Sequence, residues 1–201
     1  MRIYAETNWL LDLTFQQERF AASAFVLSLA QSHQIDLCLP EIIVGEGDQK
    51  VERRNAQRRT IIEGLGRERR EFGRSQEALY QARYVSLEPE IEGFKSISDL
   101  ERRRFDQIIE ELLPIATWLH LSQEIWVKCF DLQDGYGLKR TDALIYAIIC
   151  ADAALHPDVE KCLINYDRVF DDPELKQEMS RLGITLLASA EAVTGFLQSR
   201  I

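Results

Sequence analysis

The chain has no Cys-x-x-Cys pair, no grouped histidines and no apolar run long enough to span a bilayer. Its four cysteines, Cys38, Cys129, Cys150 and Cys162, are scattered, and three lie inside apolar runs. That pattern reads as buried free thiols and excludes a disulfide framework or a zinc knuckle. The three histidines, His33, His120 and His156, show neither zinc-ligand spacing nor the setting of a nucleophilic triad. Residues Met1 to Asn8 lack the basic-then-apolar layout of a secretion signal. The expectation is a cytoplasmic protein with no membrane partner. Internal repeats and low-complexity segments are also absent.

What is present suits an ordinary globular chain. Its 201 residues, 46% hydrophobic and 28% charged, are enough for one α/β domain with a sizeable core and an insertion. The net charge of −9 argues on its face against a nucleic-acid partner, because phosphate backbones attract basic surfaces. The charge is unevenly spread, however. Between Lys50 and Arg74 nine basic residues face four acidic ones, a balance of +5 that leaves −14 for the remainder. A site for divalent cations must itself be acidic, so net charge does not decide the matter.

Apolar periodicity gives the element order. Arg2 to Glu6 reads as a buried strand, with Thr7 or Asn8 capping the next element, and Trp9 to Ser32 as one or two helices. Ile35 to Leu39 is a second strand, closed by Pro40. Strand, helix and strand with short joints form the βαβ pattern of a parallel sheet. Glu41 to about Ala82 is largely helical and mostly polar, although Gly45, Gly47, Gly64, Gly66 and Gly73 interrupt it; a loop with Pro89 and Gly93 is expected over Glu88 to Ile97, and a second helix runs from Ser98 to Leu113 before Pro114. These stretches predict a helical hairpin projecting from the sheet. Ile115 to Leu121 is a third strand, Ser122 to Leu132 an amphipathic helix, and Asp134 to Gly137 a turn. Thr141 to Leu155 is apolar on nearly every side, as a central buried helix is. Cys162 to Asn165 and Gly183 to Leu187 are the last strands, and a closing helix starts at Ser189. The organisation is a single domain over residues 1–201 with a helical insertion of about 47–114.

Acids stand where this apolar pattern does not ask for them. Glu6 ends the first strand, Glu46 lies in the first turns after the second, Asp142 opens the most buried helix and Asp167 follows the Leu163–Ile164 strand. In open parallel sheets ligands gather beyond the carboxyl ends of strands, and a helix N-terminus favours a carboxylate. Clustered carboxylates repel one another unless a cation offsets them. Mg²⁺ or Mn²⁺ takes oxygen ligands, activates water and holds a phosphodiester for in-line attack. Each acid also has a bland alternative: a loop start for Glu6, a solvated face for Glu46, a capping partner beside Thr141 for Asp142, a turn for Asp167. Only their joint placement carries the functional reading.

Four segments then add a resemblance. Ile3-Tyr-Ala-Glu-Thr-Asn-Trp-Leu-Leu11, Leu39-Pro-Glu-Ile-Ile-Val-Gly-Glu46, Leu138-Lys-Arg-Thr-Asp-Ala-Leu-Ile145 and Leu163-Ile-Asn-Tyr-Asp-Arg-Val-Phe170 resemble, in order, the signature segments of the PIN-domain family, which includes VapC-like ribonucleases. The resemblance implies a three-layer α/β/α fold with a short parallel sheet, and Mg²⁺- or Mn²⁺-dependent hydrolysis of RNA, with DNA as the alternative substrate. It implies that Glu6, Glu46, Asp142 and Asp167 are the catalytic, metal-binding acids. Asn8 would brace Glu6, Thr141 and Asn165 would support the site, and Asp171 would stand where some members place a further acid. A homodimer is a further expectation, since many relatives dimerise. Two departures are visible. The first acid is Glu where the family usually has Asp, which moves the carboxylate outward by a methylene. The long insertion is foreign to compact toxin-type members and argues against an antitoxin partner. A non-catalytic PIN-fold module, binding nucleic acid or protein, is the competing expectation.

Within the insertion, Arg53, Arg54, Arg58 and Arg59 are followed by Arg67, Arg69, Arg70 and Arg74, with Arg102 to Arg104 further on. A basic arm of this kind would guide a phosphate backbone. The alternative is pairing with Glu52, Glu63 and Glu68 on a solvated helix. Aromatics are sparse here, chiefly Phe72 and Tyr80, so base stacking is not signalled.

Overall fold

Short apolar runs bounded by Pro, Gly and acids become strands because their side chains are buried on both faces. They are β1 (Arg2–Ala5), β2 (Asp36–Pro40), β3 (Thr117–Leu119), β4 (Lys161–Ile164) and β5 (Ile184–Leu187). A computed structural model of the chain describes residues 1–200, the side chain of Arg168 excepted. All strand pairs are parallel, in the order β3-β2-β1-β4-β5. Ile3, Tyr4, Ala5, Leu37, Cys38, Leu39, Cys162, Leu163 and Ile164 are all 0% exposed, which explains why these strands read as unbroken apolar stretches.

The chain divides into two units, residues 1–47 with 107–201 and residues 48–106. In the first, α1 (Thr7–Phe15), α2 (Phe20–Gln31) and α8 (Ala190–Gln198) pack together, while α5 (Gln123–Tyr136) packs on α6 (Arg140–Leu155) and α6 on β2 and β3. Helix α7 (Pro173–Arg181) packs on β5, and the Tyr146 hydroxyl of α6 donates to the Leu175 carbonyl and Glu178 of α7, each at 3.0 Å. This is the α/β class expected, with helices covering the sheet in the manner of an α/β/α sandwich. In α6, Ala143 to Cys150 are all buried, as their all-round apolarity requires. All four cysteines are free and buried, and burial pushes the Cys150 and Cys162 thiols up to about 12.

The chain leaves β1 towards β2 and β3, and returns from β3 past β1 to β4 and then β5. Right-handed crossovers in these opposite directions part from each other between β1 and β4. That gap, at the carboxyl ends of the two strands, is the topological switch point of the sheet.

The second unit consists of the parts of α3 (Ile42–Phe72) and α4 (Ala78–Leu112) that lie within residues 48–106, joined by a turn over residues 73–77. The expected loop over Glu88 to Ile97 is absent: α4 runs through Pro89 without interruption. Pro89 and Val85, the residue whose carbonyl loses its helical donor, are both exposed, a setting in which solvent can replace the lost donor. The turn falls instead at Gly73, where an added Cβ would come within 3.0 Å of the Tyr84 ring. The Asp134–Tyr136 stretch likewise belongs to α5, which ends on Gly137 at φ 64°. Helix α7 has no counterpart among the expected elements. No helix among the described residues is long and apolar enough to cross a membrane.

Candidate metal site and basic surface

Strand β1 pairs with β4 up to Ala5 opposite Ile164. The next residues on each strand are Glu6 and Asn165, so the switch point opens between a carboxylate and a carboxamide. Glu6 caps α1: its Oε2 accepts from the Asn8 backbone N–H at 2.9 Å. The cap is therefore Glu6 itself, in place of Thr7 or Asn8. The residues freed by this arrangement reach outward. The Thr7 hydroxyl donates to Glu46 Oε2, and Asn8 Nδ2 donates to Asp167 Oδ2 at 2.6 Å. Asn8 thus braces Asp167 with its side chain and Glu6 with its backbone. Asn165, 1% exposed, accepts the Asp167 backbone N–H at 3.1 Å and fixes the turn that presents Asp167.

Three of the expected acids, Glu6, Glu46 and Asp167, are thereby tied to three consecutive residues at the switch point. Glu6 is buried, Glu46 half-buried and Asp167 exposed. Asp142 stands half-buried in the first turn of α6, beside half-buried Thr141, on the helix that packs against β2 and β3. Asp171 is exposed and 2.7 Å from Lys176, which engages its carboxylate as a surface ion pair.

By chemistry the donor set suits a hard divalent cation, since every candidate ligand is an oxygen. The buried Asn165 Nδ2 has no hydrogen-bond partner among the described residues, a polar atom at the mouth of the crevice. Among the described residues no three Asp, Glu, His or Cys side chains already stand as a ligand set. Thr7 holds Glu46 and Asn8 holds Asp167, directly after Glu6 in the chain. Thr7, fully buried, is the site residue that sequence reasoning missed. Its place inside the Glu-Thr-Asn run was the available signal.

On the same rim, Glu41 follows β2 and accepts from the Leu121 backbone N–H at 2.9 Å, with its other oxygen 2.7 Å from His120 Nδ1. The imidazole contact and the amide hold this carboxyl below its usual range.

In the second unit the expected basic surface is thinner than the sequence suggests. Arg58 is 9% exposed and donates to both oxygens of Glu101 at 2.6 and 2.8 Å. A guanidinium committed to a buried bidentate pair is poorly placed to take a phosphate, which argues against the role expected of Arg58. Arg54 is half-buried with Nε 3.5 Å from Glu101. Arg53 and Arg59 are exposed, Arg59 lying 3.8 Å from Glu52. Phe72 and Tyr80 pack on each other with ring centroids 5.6 Å apart.

No family model, characterised protein or solved structure matches the chain.

Proposed function

We propose that this chain is a Mg²⁺- or Mn²⁺-dependent nuclease of PIN-like type acting on RNA, with Glu6, Glu46, Asp142 and Asp167 as the metal-binding acids. The observation that carries the reading is the pair of side-chain bonds from Thr7 and Asn8 to Glu46 and Asp167. They tie acids distant in sequence to the switch point of a parallel sheet, where such folds bind ligands. The resemblance of the four signature segments to PIN domains points the same way. The bound cation would supply an activated water and charge neutralisation at the phosphodiester. The chain's own part is to hold the acids. Glu6 is fixed by the start of α1, Glu46 by Thr7, Asp167 by Asn8 and Asn165, and Asp142 by the N-terminal turn of α6, whose dipole favours the ionised form.

The deciding experiment is RNA hydrolysis by Asp142→Asn with Mn²⁺ present. The expected result is a loss of at least about 100-fold, of the size produced by removing a positioned catalytic group, with an unchanged circular dichroism spectrum. Wild-type rates in that variant would refute the assignment. A second reading, a non-catalytic binding module, draws on one observation: Glu6 already serves as a helix cap. Calorimetry separates the two, because a module of that kind takes up no Mn²⁺ at millimolar concentration.

A further inference from the structure

Beside the switch point lies a cation that the metal reading does not use. Arg19 sits at the start of α2 with its guanidinium carbon 4.6 Å from the centre of the Tyr166 ring. Tyr166 directly precedes Asp167, so their Cα atoms are about 3.8 Å apart. The tyrosine is half-buried, and its hydroxyl lies inside the protein without a hydrogen bond among the described residues, where burial pushes its pKa up. The ring offers a face that carries the guanidinium, one residue before Asp167 in the chain.

A guanidinium lying on an aromatic face is held through its π surface and keeps its in-plane N–H groups for other acceptors. Asp12 Oδ2 is 4.0 Å from Arg19 Nη1, an attraction without a hydrogen bond. Arg58 offers the contrast, with its fork closed on Glu101 at 2.6 and 2.8 Å. Arg19 thus combines a seat on an aromatic face, a 39% exposed side chain and, among the described residues, a donor fork closed on no carboxylate. That combination suits the planar, bidentate recognition of an anion with paired oxygens.

We infer that Arg19, positioned by Tyr166 and Asp12, contacts a backbone phosphate of a single-stranded RNA entering the switch-point crevice. This rests on the nuclease reading and assigns that site a residue for substrate, separate from those for metal. The ring that carries the cation belongs to Tyr166, which follows Asn165 past the end of β4 and directly precedes Asp167.

The test is fluorescence anisotropy of a labelled phosphorothioate RNA oligomer with the full chain and Mn²⁺ over a range of salt. Arg19→Ala is expected to weaken binding by about tenfold or more, the loss for one charge-assisted donor group. It should also make the slope of log K against log salt shallower by about 0.7, the value for one phosphate contact on a single strand. Arg19→Lys should keep the slope and lose part of the affinity, while Mn²⁺ uptake by Arg19→Ala stays at the wild-type level. Wild-type affinity and slope in Arg19→Ala, or no RNA binding by the wild type, would overturn the inference. Failure of the nuclease reading looks different: Mn²⁺ uptake or the Asp142 dependence of cleavage is lost, while RNA binding still depends on Arg19.

Discussion

Two small side chains organise the candidate site. Thr7 and Asn8 are the residues through which Glu46 and Asp167 reach the end of β1. Positioning partners of metal ligands commonly affect affinity 10- to 100-fold. Thr7→Val keeps the shape of a fully buried side chain and removes only the donor, so Mn²⁺ affinity by calorimetry should fall within that range. An unchanged affinity would remove Thr7 from the account. Asp12 gives a prediction of a different kind. Burial raises its carboxyl above the usual value, and Arg19 offsets this only in part. A raised folded-state pKa means that stability is fully present below the unfolded value of about 3.9 and declines as pH rises through the folded value. Asp12→Asn should therefore melt above the wild type near pH 7, with the gain shrinking towards about pH 4. A gain that grows on acidification would contradict the sign. The acids themselves were legible in the sequence because each interrupts or ends an apolar pattern. The contacts were not: Asn8 meets Asp167 across a separation of 159 residues, and Arg19 meets Tyr166 by packing that no periodicity encodes.

At the level of elements, the parallel strands followed from continuous apolar runs, and their bounds fall within a residue or two of expectation, except that β3 is shorter. The hairpin did not follow so closely. Pro89 and Gly93 read as a loop because proline lacks the helical donor and crowds the carbonyl four residues back, yet here that stretch is exposed and the helix continues through it. The turn lies near Gly73, one of the glycines that interrupt this polar stretch in the sequence, and an added Cβ there would meet the Tyr84 ring at 3.0 Å. If Pro89 is tolerated at a cost, Pro89→Ala should raise the free energy of unfolding by roughly 1–3 kcal/mol, up to the full proline penalty in a helix interior. Urea denaturation reads the change, and a loss of stability would show that the proline is favoured there. Helix α7 carried its own start signal. Asp172 Oδ1 accepts from the Glu174 and Leu175 backbone N–H groups, with Pro173 in the first helical position. The arginines of the second unit show the limit of charge counting. Their sequence pattern does not reveal that Glu101 closes Arg58 into a buried pair.

For the whole molecule, charge is divided between the two units. Residues 48–106 carry 14 basic and 12 acidic side chains, a net +2, against −11 for the rest. The strongly acidic remainder includes every candidate ligand, and under the proposed function a bound cation would offset that charge before a polyanion approaches. The fold class and the succession of strands along the chain are thus a reading of apolar pattern, while the proposed activity depends on whether four carboxylates share an ion. Diffraction from crystals soaked in Mn²⁺, with the anomalous signal collected, tests this most directly. The account predicts a peak at the carboxyl ends of β1 and β4, within about 2.0–2.3 Å of oxygens from Asp167, Asp142 and at least one of Glu6 and Glu46. No peak there at millimolar Mn²⁺, or one bound only by surface acids elsewhere, would contradict it.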